Sequence, residues 1–372
     1  MTFYLDCLRL IRLLRKFMTI IGLIPMKLSL RTLQISVVFL IVASVPFMRL
    51  WNAEQSVFQS DSELSRIVNI SSLLVLWIVH IVILLETSYK VDKFDKILLH
   101  FEKIHKNSLF EYYRDVPKVE CKAFRIYFFI CLEFLELLIL SWILHLDGLT
   151  WMRWSFNVYS DITLKTKLFE FIFFVILTNS MEHDLSFAVT TIKTESRTAQ
   201  NTHWMSKQNS AQVLNTIGQI RNEIWMAVKM IEDLCEYSLV GVLLKMYCDI
   251  TFTAYWAYRS FETGTTHFYK TVCLLFLLLR GLVLLVCCWI CTSCEILERN
   301  FIIQLPQYAE SDSSPHLNTI IKGLSLDLLH KRIQFSAGDI IAINVNTLGG
   351  IVFSAVTFVV ILIQFQMDGP LN

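Results

Sequence analysis

The chain has 372 residues, of which 55% are hydrophobic and only 17% charged, with a mean hydropathy of +0.53 and a net charge of +1. A soluble chain carries about 25% charged residues, so the balance describes a polytopic membrane protein. The near-neutral charge leaves no electrostatic footprint for nucleic acid.

Residues 1–31 form a basic amphipathic segment with Arg9, Arg12, Arg15, Lys16, Lys27 and Arg31 against a single acid, Asp6. Arg9, Arg12 and Lys16 share one helical face, with Leu5, Leu8, Ile11 and Leu14 elsewhere. A secretory signal would carry its apolar core earlier, followed by a small-residue cleavage site. The segment reads instead as a helix on the inner leaflet, held partly by anionic lipid, or as a basic tail.

Seven apolar spans follow, near 32–51, 66–86, 123–146, 165–190, 237–261, 269–292 and 339–365. Each is long enough to cross about 30 Å of hydrocarbon as a helix. The fold class is therefore all-α, and the chain reads as one seven-span unit: a tail at 1–31, spans one to five over 32–261, and spans six and seven over 262–372. The N-terminal tail and the long loops before spans three, five and seven hold 23 Lys and Arg, whereas the opposite short loops hold only Arg66 and Arg153. Basic residues stay on the cytoplasmic side, which puts the N-terminus inside and, with an odd number of spans, the C-terminus outside. Rhodopsin-like receptors have the reverse orientation, and their Asp-Arg-Tyr and Asn-Pro-x-x-Tyr motifs are absent here. No inverted repeat of the transporter kind is visible. Val213, Ile217, Ile220, Ile224, Ala227, Met230, Ile231 and Leu234 recur at helical spacing. That stripe predicts that the fifth helix runs back into the cytoplasm through residues 196–238.

Ionisable residues inside the spans carry the chemistry. Glu133 and Glu136 share one face of the third span, Lys245 and Asp249 lie four apart in the fifth, and Arg280 stands midway along the sixth. Each charge at that depth costs about 2.5–3.5 kcal/mol on insertion scales, so they are expected to face the bundle interior, with Arg280 paired to Glu136 or Asp249. They either fix helix register or floor a ligand pocket. The outer halves of the spans add Trp142, Phe169, Phe173, Tyr255, Trp256, Tyr258 and Tyr269. Aromatic walls with a few polar groups suit a small organic ligand; an interfacial aromatic belt explains the last three equally well. None of the ten cysteines lies in an outer loop, so a disulfide framework is not expected. Cys288, Cys291 and Cys294 lack a partner pair or histidine to complete a zinc site and read as membrane cysteines, with acylation of Cys294 as the alternative. His145 and His330 have no partner in sequence, and the Asn69-Ile-Ser71 sequon lies at the lip of the second span.

The last span is the most informative. From Ile340 to Ile363 it has no charge and no proline. Thr347, Gly350, Ser354, Thr357, Ile361 and Gln364 follow steps of three and four and so share one face. Such a stripe either packs on a neighbouring helix or lines a water-filled path.

The ending TFVVILIQF, Thr357 to Phe365, resembles the C-terminal signature of insect gustatory receptors: Thr-Tyr, five hydrophobic residues, Gln-Phe. Phe358 stands in place of the Tyr, keeping the ring and losing the hydroxyl. The preceding QFSAGDIIAINVNTLGG is similar to the family's aromatic, small-residue and Gly pattern before the last span. The resemblance implies a ligand-gated, non-selective cation channel of four identical or related subunits, with the seventh span of each lining the pore. It implies a constriction at Gln364 and Phe365, with Ile361, Thr357 and Ser354 further along the same path. A small-molecule tastant is the implied ligand, the plasma membrane of chemosensory neuron dendrites the implied location, and no nucleotide or metal cofactor is implied. Sugar-receptor members carry Glu directly after Thr-Tyr; Val359 occupies that position here, which favours a bitter or other non-sugar compound. An insect odorant receptor shares the topology and remains the alternative, with a G-protein-coupled receptor or transporter as the different class.

Overall fold

The computed structural model describes residues 12–19, 63–106, 131–139 in part, 151–198, 205–262, 264, 267–311 and 315–367. The first span, the outer part of the third, Glu133, Trp142, His145 and the C-terminal tail lie outside the described residues. The described chain is almost entirely helical, apart from the segment 331–344, which carries one short hairpin.

Helix α1 (Glu63–Tyr89) ends at Lys90, a one-residue break before α2 (Val91–His105). The second-to-third connection reads as a polar loop because charges dilute its hydropathy. Phe94, Ile97, Phe101 and Ile104 nevertheless fall at steps of three and four, and all four are buried. Phe94 meets Phe174 edge-on at 5.5 Å between ring centroids, and Phe101 stacks on the same ring at 6.2 Å. Phe174 belongs to α3 (Trp151–Thr198), whose 48 residues make about 72 Å of helix. This helix begins well before the span that hydropathy places at 165–190. Asp161, Lys165 and Lys167 depress the local hydropathy, yet all three are buried.

Helix α4 (Met205–Leu234) buries the apolar stripe read from sequence, with Ile217, Ile220, Ile224, Ala227, Ile231 and Leu234 all in the core. It does not run unbroken into α5 (Glu236–Glu262), as the stripe predicted. Cys235 separates them, and the cause is a competing acceptor. The Glu86 carboxylate accepts the N–H groups of Tyr237 (3.0 Å) and Ser238 (2.8 Å), and the Asp233 carbonyl accepts from the Lys90 ammonium. Groups that would continue one helix are thus diverted, and a carboxylate sits at the positive end of α5. The two breaks, at Lys90 and Cys235, are pinned to each other.

Helix α6 (His267–Ser311) packs on α3 and α5, and α7 (Pro315–His330) folds back on α6 and α4. Strands β1 (Ser336–Ala337) and β2 (Ile341–Ala342) pair antiparallel, Ser336 opposite Ala342, and lead into α8 (Val345–Met367). Phe335 is fully buried against Phe171, edge-on at 5.9 Å. Among the described residues, three helical stretches are apolar and long enough to cross a membrane: Ile70–Tyr89, Lys270–Leu305 and Val345–Phe365.

The helix over residues 12–19 packs on α2. Met18 is buried, Arg12 pairs with Glu102 at 2.9 Å, and Arg15 pairs with Asp95 beneath the Phe94 ring. Two basic residues expected at lipid are therefore engaged by protein; Leu13, Lys16 and Phe17 stay exposed.

The hairpin depends on Gly338, which has φ +59 and lies where a Cβ would come within 3.1 Å of Val240 Cγ2. A left-handed conformation costs an L-residue about 1–2 kcal/mol, and a branched side chain adds the clash with α5. Gly338→Val is expected to lower the thermal unfolding midpoint of the purified receptor, with Gly338→Ala lowering it less. Identical midpoints for all three proteins would remove this turn from the list of structural requirements.

Candidate functional site: a buried charge cluster and the last helix

Arg280, in the first third of α6, is buried among three carboxylates. Its Nη2 donates to Asp161 Oδ1 at 3.0 Å, its Nη1 lies 2.9 Å from Asp249 Oδ2, and its Nε contacts Glu136 Oε1. Both partners named from the sequence, Glu136 and Asp249, are present. Lys165 bonds Glu136 and lies 3.9 Å from Asp161, while Lys245 bonds Asp249 one turn away. The cluster thus holds three cations and three carboxylates, all buried. It joins the helical stretch at 131–139 to α3, α5 and α6. The guanidinium also lies 4.9 Å from the centroid of the Phe276 ring, a favourable cation–π position. Asp161 and Lys165 escaped the sequence reading because they fall at the edge of the span placed there, although their spacing of four marks them as one helical face.

Beside the cluster lies a cavity lined by Glu136, Asp161, Lys165 and Arg280 with apolar side chains of α3, α5 and α6; its volume is about 20 Å³, room for about one water. The aromatic candidates do not converge on it. Phe169 and Phe173 lie 6.1 Å apart on α3, with Phe173 in the main core. Tyr255 is fully buried in a separate cluster with Val68 and Leu362, its ring edge-on to Trp256 at 5.6 Å. His80 bonds Ser160, next to Asp161, at 2.9 Å.

No group of three metal-ligating side chains occurs among the described residues. Cys288, Cys291 and Cys294 are buried, and the Cys294 thiol points to the Val175 carbonyl at 3.7 Å. Acylation of Cys294 is thereby corrected: its sulfur faces α3, not the surface.

Helix α8 starts on Asn344, whose side chain accepts the N–H of Thr347 at 3.0 Å, an N-cap. The N–H of Val345 goes to Thr292 Oγ1 on α6 at 3.0 Å. Leu348, Ile351, Ala355 and Leu362 form its packed face, mainly against α5. The remaining surface divides in two. Gly350, Ser354, Thr357, Ile361 and Gln364 make an exposed stripe of small and polar residues, flanked by Phe365 at 68% exposure. Val352, Phe353, Val356 and Val360 make an exposed apolar stripe. The one polar-stripe side chain bonded to a neighbouring helix is Ser354, whose Oγ lies 3.1 Å from the Tyr247 hydroxyl on α5.

Breaking a buried ion cluster by removing one member costs about 3–5 kcal/mol. Arg280→Leu would leave three carboxylates against two lysines, and cell-surface expression is expected to fall sharply. Adding Asp161→Asn restores the charge balance and should recover part of it. Wild-type surface levels for Arg280→Leu alone would show that the cluster does not hold the bundle.

Comparison with known proteins gives the family. The chain matches the 7tm chemosensory receptor family over residues 11–369. A Drosophila melanogaster protein named as gustatory receptor 98a is 26% identical over 215 residues, 56% of this chain and 54% of that receptor. Gustatory receptor 23a of the same fly is 25% identical over 130 residues, 35% of each chain. The match therefore spans about half the length of the first relative and about a third of the second. The insect olfactory receptor OR5 of Machilis hrabei, solved alone and in complex with eugenol, has the same fold, with a TM-score of 0.61 at 13% identity over 94% of this chain and 98% of that one. A match over nearly the whole length, on a shared all-helical fold, places the chain in the 7tm chemosensory receptor family, a family of polytopic membrane receptors and not of enzymes.

Proposed function

We propose that this receptor is a gustatory receptor working as a ligand-gated, non-selective cation channel. A small tastant, bitter or otherwise non-sugar, opens it in the plasma membrane of chemosensory dendrites. The observation that carries the reading is the surface of α8. A lone helix packed on one face, with one polar and one apolar stripe exposed, suits a ring of four identical or related subunits. Its apolar stripe would meet the neighbour and its polar stripe the central path. Seven spans with a cytoplasmic N-terminus and an outer C-terminus fit the charge asymmetry. The unfavourable charges of α3 and α5 are neutralised by pairing, which lets both helices serve as spans. In this arrangement Gln364 and Phe365 stand at the outer constriction, with Ile361, Thr357 and Ser354 below them.

An insect odorant receptor is the second reading, favoured by the fold of OR5 and by the eugenol bound to that protein. The ending TFVVILIQF and the Drosophila relatives favour the gustatory branch. A neutral, near-closed charge cluster suits a ligand without net charge. Of the candidates among the described residues, Glu136 lines the small cavity beside it, whereas Phe169 and Phe173 do not, and Tyr255 serves a different part of the bundle.

Current evoked within milliseconds by a tastant, with G proteins blocked, is the expected result in cells expressing the full chain. A response that disappears with the G-protein block would defeat the channel reading. Phe365→Ala should raise the ligand-independent current, because four rings no longer exclude water from the narrow point. Gln364→Glu should raise relative calcium permeability by adding a ring of carboxylates. If leak and permeability both match wild type at equal surface expression, α8 does not form the constriction. A tag before Met1 should be reachable only after permeabilisation, and one after Asn372 in intact cells; labelling in the opposite sense would overturn the orientation.

A further inference from the structure

A second buried ionic cluster lies where α3, α4 and α6 meet the segment leading to α8. Its composition differs from the first in one respect. Arg221 of α4 is buried between two carboxylates, with its Nε 3.3 Å from Glu182 Oε1 on α3 and its Nη2 on Glu298 Oε1 of α6. Two carboxylates on one guanidinium leave one surplus negative charge. Glu182 is 1% exposed and Glu298 5% exposed, so solvent does little to offset it. Glu182 Oε2 has no hydrogen-bond donor among the described residues.

Among the described residues no other cation is ion-paired with either carboxylate. Lys331, the nearest on the connecting segment, gives its backbone carbonyl to Arg221 Nη2 at 3.3 Å. Its ammonium goes instead to Asn222 Oδ1 at 2.8 Å and lies over the Trp225 ring. Glu295 and Arg299 flank Glu298 on its own helix, and neither is ion-paired with it. Glu298 lies toward the inner end of the apolar stretch Lys270–Leu305, beyond the sixth span as placed from the sequence, and Glu182 lies in the inner half of the fourth. Two buried carboxylates that share one guanidinium repel each other, and a proton on either one relieves the surplus charge.

We infer that the Glu182–Arg221–Glu298 cluster is a proton-binding site on the cytoplasmic side, and that its occupancy sets how firmly the segment before α8 is held. The link to that segment is direct. The N–H of Ile333 donates to both oxygens of Glu298, at 2.9 and 2.8 Å. Two residues on, Phe335 inserts against Phe171, and the N–H and hydroxyl of Ser336 both donate to Glu232 Oε1, at 2.9 and 2.7 Å. With Glu298 ionised, the amide and the guanidinium both bond to a full carboxylate, at the cost of burying the surplus charge. A proton on Glu298 removes that cost, keeps one acceptor oxygen for Ile333 and weakens its hold. The inference uses the channel reading only to say which side is cytoplasmic and what α8 does.

The sign of the stability effect follows from the surplus charge. Burying two carboxylates against one guanidinium favours the protonated acid in the folded chain over the unfolded one, so the stability that this proton contributes is lost as pH rises. The test uses purified full-length receptor in detergent micelles, with thermal unfolding followed from pH 5.5 to 8. The wild-type midpoint should fall relative to Glu298→Gln as pH rises, because the amide keeps an acceptor for Ile333 and does not titrate. Glu182→Gln removes the surplus charge from the other side and should also flatten the profile, which covers the case in which Glu298→Gln folds poorly. Parallel profiles in all three proteins overturn the proton site. In inside-out patches, stepping the bath from pH 8 to 6 should change the current at least twofold in wild type and leave both variants unchanged. A pH-dependent midpoint without any such change overturns the coupling to α8, and absence of any current, in a protein whose midpoint still shifts, counts against the channel reading alone.

Discussion

The bundle depends on the neutrality of the cluster around Arg280. An unpaired charge at this depth costs about 2.5–3.5 kcal/mol on insertion scales, and six would exceed the net stability of most domains, about 5–15 kcal/mol. Three cations on three carboxylates turn six liabilities into a lock. Glu136, Asp161 with Lys165, Lys245 with Asp249, and Arg280 come from four separate helical segments. Sliding any one of them by a turn would strand charges on the others, so register is fixed at the middle of the bundle. The adjoining cavity holds about one water. A ligand larger than that enters only if these helices move apart, and movement there must rearrange the ion pairs.

Helix α5 connects the cluster to the rest of the receptor. One face gives Asp249, itself paired with Lys245, to Arg280, and another presents Tyr247 to Ser354 on α8. Its first turn is held by Glu86 from α1, and the Gly338 hairpin lies against Val240 and the Glu236 carbonyl. Gly241, where a Cβ would meet Val79 at 3.1 Å, lets α1 approach α5 closely. A shift of α5 is therefore felt at the last helix through Tyr247 and at its base through the hairpin.

Much of this was legible in the sequence, for physical reasons that also mark where reading failed. The membrane character, the α4 stripe, the pairing of Arg280 and the polar stripe of α8 all rest on periodicity or on the cost of buried charge. Helix α2 was hidden because its hydropathy is averaged away by lysines and acids, although Phe94, Ile97, Phe101 and Ile104 had the right spacing. Asp161 and Lys165 were missed through a misplaced boundary: charges that pair in three dimensions look like a loop in one. The break at Cys235 has no local signal at all, since it is made by Glu86, which lies far away in sequence. Glu182 and Glu298 carried no signal as a pair; only the fold brings both to Arg221.

The two ionic clusters differ in a way that their surroundings explain. The one around Arg280 balances three charges against three, and it sits among spans whose outer faces are apolar. In lipid a surplus charge has no counter-ion to draw on and no ready proton, so balance has to be built into the covalent sequence. The cluster around Arg221 joins α3 and α6 to α4, a helix with a more polar outer face. Under the inference above, its two-to-one count is completed by a proton. That difference assigns different roles to similar chemistry. The balanced cluster resists change and fixes the arrangement of the spans. The unbalanced one, with the proton inferred above, has a component that comes and goes, and it lies against the short segment from Lys331 to Ser336 that leads into α8.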